Sequence, residues 1–153
     1  MFLLNEKQHI VMDTFVKDMM KKQIVSIDIS LTVKEAAKMM EDTGVSCVVI
    51  TKENIPVGML TERDFVTIFT SLDKPSSMSV QNVMSSPLIT ASPSDTAKKL
   101  AELMKEKKIH KVPVIEENRL VGIVTATDLI KKCIIDSDLE MRQICNSFAQ
   151  MAF

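Results

Sequence analysis

The chain repeats itself. Placing Met20 over Met84 sets an offset (84 − 20 = 64) that runs without a gap from Val16/Val80 to Val66/Ile130. Identities recur along it at Ser30/Ser94, Thr32/Thr96, Ala37/Ala101, Met40/Met104, Val48/Val112, Glu53/Glu117 and Asn54/Asn118, and then at Val57/Val121, Gly58/Gly122, Thr61/Thr125 and Asp64/Asp128. The period is too long for the common solenoid repeats, so two homologous halves are expected rather than a stack. Each half is also near the lower size limit for a self-sufficient core. The two are therefore expected to bury their apolar faces against each other, about a pseudo-twofold axis.

Within each half the hydrophobic period changes. Ile24 to Ile27 and Leu88 to Ala91 read as short strands. Val33, Ala36, Ala37 and Met40, and likewise Ala97, Leu100, Ala101 and Met104, recur at helical spacing. Ser30 or Thr32 and Ser94 or Thr96 suit the N-caps, and Glu35 completes a capping box with Thr32. The runs Cys47 to Ile50 and Val112 to Ile115 are too short for helices and rich in β-branched residues. Polar turns at Lys52-Glu53-Asn54 and Glu116-Glu117-Asn118 lead into Val57 to Leu60 and Leu120 to Val124, closing hairpins. Second helices follow from about Glu62 to Thr70 and Ala126 to Ile135. The fold expected is α/β (α+β), a β-α-β-β-α unit used twice. Its divisions are an N-terminal helical segment (1–15), repeat one (16–70), a polar linker (71–79), repeat two (80–135) and a C-terminal amphipathic helix (136–153).

The best-matched local feature is Gly58-Met59-Leu60-Thr61-Glu62-Arg63-Asp64 against Gly122-Ile123-Val124-Thr125-Ala126-Thr127-Asp128. Each is a strand passing into a helix through a threonine, with a carboxylate three residues later. Two readings stand. The free N–H groups and positive dipole end of a helix start suit a phosphate, and the carboxylate suits a ribose diol. Thr-x-x-Asp is equally a capping box, which duplication copies as faithfully as a site.

Taken together, the opening Val-x-Asp/Asn-x-Met, the threonine-capped first helix, the apolar second strand and Gly-x-x-Thr-x-x-Asp resemble CBS repeats (the cystathionine-β-synthase-type domain), over Val16 to Ile130. The resemblance implies a regulatory module in which two clefts take adenine nucleotides (AMP, ADP, ATP) or S-adenosylmethionine-like compounds. It implies a first cleft with Thr61 at phosphate and Asp64 at ribose. Met84, Ile89, His110 and Val112 would form its adenine wall, with Lys111 and Arg63 near the phosphates. It implies a second cleft with Thr125 and Asp128, and with Met20, Val25, Val45 and Ser46 around the base. Cys47, Ser46 and Thr127 stand where the first cleft has Lys111, His110 and Arg63. The first cleft is thus expected to prefer polyanionic nucleotides, and the second to be empty, weaker or suited to a less anionic adenosyl ligand.

Composition narrows the alternatives. A net charge of −1 and the absence of Trp and Tyr argue against nucleic-acid binding. No apolar run is long enough for a bilayer, and Met1 to Leu4 lead into Asn5 and Glu6 rather than a signal sequence. Three cysteines without CxxC spacing point to neither a disulfide framework nor zinc, and suit a reducing cytoplasm. Cys47 reads as a structural thiol, His110 as a cleft-lining or strand-edge residue, and Lys105 to Lys108 as a solvated charge run. No catalytic constellation or catalytic cofactor is expected. Met12, Phe15 and Met19, and Met141, Ile144, Cys145, Phe148 and Ala152 in the tail, suit either covering the module's own core or a homodimer or effector-protein face. The reading is a ligand-sensing regulatory, signal-transducing module. The alternatives are a ligand-free scaffold that dimerises through the repeats and terminal helices and, behind it, a nucleic-acid-binding module.

Overall fold

Threonine starts the first helix of each half. In the computed structural model, which describes residues 14–71 and 73–135 together with Arg142, Gln143 and Asn146, Thr32 Oγ1 accepts from Glu35 N, and Glu35 Oε2 accepts from Thr32 N at 2.8 Å. That reciprocal box opens α1 (Val33–Thr43). The helices that follow in chain order are α2 (Glu62–Ser71), α3 (Ala97–Lys107) and α4 (Ala126–Ile135). Thr96 Oγ1 accepts from Lys99 N at the start of α3. Both capped helices end on a left-handed residue, Gly44 after α1 and Lys108 after α3. Their apolar stripes, Val33, Ala36 and Met40 in one and Ala97, Leu100, Ala101 and Met104 in the other, are buried.

The strands are β1 (Ser26–Asp28), β2 (Cys47–Lys52), β3 (Ile55–Thr61), β4 (Lys111–Glu116) and β5 (Arg119–Thr125). β2–β3 and β4–β5 are antiparallel hairpins of matched register, with Ile50 opposite Gly58 and Val114 opposite Gly122. Their turns hold Glu53, Asn54, Glu117 and Asn118 at positive φ, the backbone a tight hairpin turn demands. β1 pairs parallel to β2.

The strand expected at Leu88 to Ala91 is reduced to one bridge, Ala91 to Val114. Two prolines explain this. In the first half, β1 is flanked by Val49 N donating to Val25 O and Ile29 N donating to Thr51 O. The equivalent residues in the second half are Pro113 and Pro93, which have no N–H to give. Only the bonds made by Ala91 itself survive, Ala91 N to Pro113 O and Ile115 N to Ala91 O.

The halves exchange their openings. Val16 and Met19 belong to the core of Leu100, Met104, Val112, Val114 and Leu129, in the second repeat. Val80 belongs to that of Ile27, Val33, Val48, Ile50 and Leu60, in the first. The backbone bonds are reciprocal: Val16 N to Asp95 O mirrors Val80 N to Leu31 O, and Ala97 N to Thr14 O mirrors Val33 N to Met78 O. Such reciprocity is what a twofold relation between the halves requires. Burying Val16 and Val80 fully contributes about 1.5–3 kcal/mol each. That stabilisation is realised only when both repeats are present.

Of the N-terminal segment, Thr14 and Phe15 are described. Phe15 is extended and bridges to Thr96 rather than being helical. Met12, the rest of that segment and the tail residues Met141, Ile144, Cys145, Phe148 and Ala152 lie outside the described residues. Met78 and Ser79, at the end of the linker, dock on the start of α1.

Candidate functional site

Gly58 and Gly122 let each strand–helix junction meet the other repeat. A Cβ at Gly58 would lie 2.5 Å from Met84 Sδ and 3.1 Å from Ser85 O, and one at Gly122 would lie 2.6 Å from Met20 Sδ. A side chain there would have to push the methionine aside and would crowd the carbonyl; with glycine, the backbones of Met59 and Ser85 approach and exchange two hydrogen bonds, as Ile123 and Lys21 do. Met84 and Met20 are thus packing residues of the crossover.

Beyond that contact, β3 runs into α2 beside the chain that leads to β4, around a cavity of about 470 Å³. Met59, Pro87, Leu88, Ile89 and Ile109 provide its apolar wall. Thr61, Arg63, Asp64, Ser85, Lys108, His110 and Lys111 provide its polar wall. Six residues expected in the first cleft therefore meet around one space: Thr61, Arg63, Asp64, Ile89, His110 and Lys111. Two do not line it. Met84 lies over Gly58, and Val112 is wholly buried in the second core. Alternation along β4 accounts for Val112, since its neighbour Lys111 takes the outward position.

The Thr-x-x-Asp capping interaction is present in both repeats. Asp64 Oδ2 accepts from Thr61 N at 2.7 Å and from Thr61 Oγ1 at 2.9 Å. Asp128 Oδ2 accepts the same pair from Thr125 at 2.9 and 2.8 Å. Capping uses only one carboxylate oxygen, so it does not exclude a second role. At Asp64, Oδ1 has no partner among the described residues; at Asp128, Oδ1 lies 3.3 Å from Lys21 Nζ.

The second group is less well gathered. Val45 and Ser46 line an open groove with Met40, Glu41, Gly44 and Phe65, in which Thr125 and Asp128 take no part. Val25 is half-buried and packs on the first core, and Met20 packs on the second. Sequence reasoning passed over Ser85 and Lys21, and assigned Lys108 to a solvated charge run. Lys108 and Ser85 line the first cavity, and Lys21 reaches Asp128. Lys108 left a trace in the sequence, because its repeat counterpart is Gly44, and a lysine at a left-handed helix end is unusual. Lys21 left none, since its reach depends on the crossover.

Cys47, at the start of β2, is buried, and that burial pushes its thiol up; Lys111 nearby pulls it down and Glu62 pushes it further up. A thiol held protonated is a poor nucleophile, which agrees with a structural role. Among the described residues no cluster of His, Cys, Asp and Glu is arranged to hold a metal ion, and no helix is long and apolar enough to cross a membrane.

Duplicated units that exchange their opening turns and meet over helix starts define a paired-repeat regulatory module. The chain belongs to the CBS domain family, whose repeats match residues 16–71 and 80–134. It is 32% identical over 114 residues to the CBS domain-containing protein YhcV of Bacillus subtilis, covering 74% of this chain and 81% of that one. Two other curated relatives are longer: the chain spans 61% of one from Methanopyrus kandleri and 33% of one from Methanocaldococcus jannaschii. Among solved structures, the CBS-domain protein ATU1752 from Agrobacterium tumefaciens matches with a TM-score of 0.71 and 28% identity, over 79% of this chain and 94% of that one. The CBS domain pair of MJ0100, solved with methylthioadenosine and S-adenosyl-L-methionine, matches with a TM-score of 0.70 and 25% identity, over 78% and 95%.

Proposed function

We propose that the first cleft binds an adenine nucleotide or a related adenosyl compound, and that binding regulates a partner protein or the chain's own homodimer. One observation carries this reading. Met59, Leu88, Ile89 and Ile109 line the same cavity as the start of α2 and the cations Arg63, Lys108 and Lys111. A flat apolar base fits the apolar wall. The polyanion fits the cations and the N–H groups of α2. Asp64, with Oδ1 free of protein partners among the described residues, is the acceptor for a ribose diol. The adenosyl ligands of the MJ0100 domain pair support the same ligand class. The residues gathered here do sensing rather than chemistry.

For transmission, the outer face of α2 exposes Val66 and Phe69, and Phe69 stacks on Phe65 with ring centroids 6.4 Å apart. That face is the proposed homodimer contact.

Isothermal titration of AMP, ADP, ATP and S-adenosylmethionine into the full chain, with Asp64→Ala alongside, tests the reading. At least one compound should bind, and Asp64→Ala should weaken it about tenfold or more, the loss of a hydrogen bond to a charged acceptor being about 1.5–3 kcal/mol. Unchanged affinity in Asp64→Ala would exclude this cleft. Sedimentation of Phe69→Glu tests the dimer, which should dissociate.

A further inference from the structure

Both strand–helix junctions meet the other repeat through the same backbone pair, and besides the phosphate-side exchanges they differ at the side chain that this pair presents to the carboxylate. Lys21 and Ser85 are equivalent residues. Lys21 exchanges hydrogen bonds with Ile123 at 2.8 and 2.9 Å, as Ser85 does with Met59 at 2.9 and 3.1 Å. In the first cleft this position carries a short hydroxyl on the cavity wall, and Asp64 Oδ1 is left to a ligand. In the second, the position carries a longer side chain, and Lys21 Nζ stands 3.3 Å from Asp128 Oδ1. The Asp128 side chain is 7% exposed, against 62% for Lys21. Asp128 is thus fully engaged within the protein: Thr125 occupies one oxygen and an ammonium the other.

We propose that Lys21 is a specificity-determining residue that bars the second cleft to the ligand taken by the first. Its ammonium pairs with the oxygen that a ribose diol needs as acceptor, so a nucleoside gains no contact at that oxygen without displacing it. The inference rests on the adenosyl-binding reading of the first cleft and adds an occupancy of one ligand per chain. Lys21 does not substitute for the missing phosphate cations, because it sits at the carboxylate end of the site. The positions equivalent to Arg63 and Lys111 remain Thr127 and Cys47.

Lys21→Ser installs the residue of the other repeat on an exposed surface and leaves the backbone pair intact. The experiment is titration calorimetry with each of AMP, ADP, ATP and S-adenosylmethionine on the full chain as wild type, Lys21→Ser and Lys21→Ser/Asp64→Ala, with thermal melts to confirm folding. Wild type should bind one equivalent, and Lys21→Ser should bind two, the second more weakly for want of the phosphate cations. The double variant should keep one, now in the second cleft. Two equivalents in wild type, or one in both wild type and Lys21→Ser, overturn the proposal and leave the first cleft standing. No binding to wild type, with one equivalent in Lys21→Ser that survives Asp64→Ala, upholds the role of Lys21 and removes the first-cleft reading. No binding of any of the four compounds to any of the three proteins overturns both.

Discussion

Lys108 offers a stringent test of the cavity, because the fold and the ligand make opposite demands on it. It closes α3 with φ of 54°, where its counterpart Gly44 closes α1 with φ of 68°. A side chain in that backbone region costs roughly 1–2 kcal/mol, and glycine gives back about 0.5–1 kcal/mol through its greater freedom when unfolded. Lys108→Gly should therefore stabilise the protein by about 0.5–1 kcal/mol. For a chain of this length that is a rise in Tm of about 1–4 °C. The same change removes a cation from the cavity wall. Lys108 is exposed, so solvent screens it, and a loss of about 0.5–1.5 kcal/mol is expected, or about two- to tenfold in ATP affinity. Adenosine, which has no phosphate, should bind with unchanged affinity. Lys108→Ala separates the effects, since it removes the charge and keeps the strained backbone: ATP should weaken with no gain in Tm. Differential scanning calorimetry and titration of the three proteins decide it. Unchanged ATP affinity in Lys108→Gly would remove Lys108 from the site, and a lowered Tm would refute the backbone account.

Other predictions concern the scaffold. Gly58→Ala should destabilise by about 1–3 kcal/mol, because the new Cβ falls on Met84 Sδ; adding Met84→Ala should recover only part of the loss in chemical denaturation, as the Ser85 carbonyl still crowds the site. Cys47 should resist alkylation in the native protein near neutral pH and react on unfolding, since it is buried and its thiol is pushed up by burial; fast native labelling by mass spectrometry would contradict this. Glu35 is held below its ordinary value by the backbone N–H and then the hydroxyl of Thr32. A carboxylate lowered on folding adds stability above its unfolded value of 4.5 and loses it as pH falls through the folded value. The Tm advantage of wild type over Glu35→Gln should therefore shrink as pH is lowered from about 6 to 3; a gap that widens would refute the sign.

What the sequence reveals and what it conceals follow from the range of each interaction. Helix caps, hairpin turns and the helical stripes of Val33 to Met40 and Ala97 to Met104 are local, and all of them are readable by pattern. The lost strand before α3 was also written in the chain, as Pro93 and Pro113 opposite Ile29 and Val49, but it becomes legible only once the N–H groups used by the first repeat are known. The site divides in the same way. Thr61 and Asp64 belong to a motif and Lys111 to its aligned exchange. Lys21 depends on which repeat its turn docks against, and apolar spacing around Val16 does not specify that.

The exchanged openings also govern how the chain can fold as it is made. Residues near Val16 leave the ribosome early, yet their backbone partners, such as Asp95 and Ile123, are synthesised much later. Contacts of such long sequence separation slow folding. Until the turn of Val80 has emerged, then, the first repeat lacks the residue that completes its core, and until the second repeat has been made Val16 and Met19 lack the core they join. The module reaches its native state only after the second repeat has been released, so a chain cut within the linker should yield two fragments that fold when mixed and not apart.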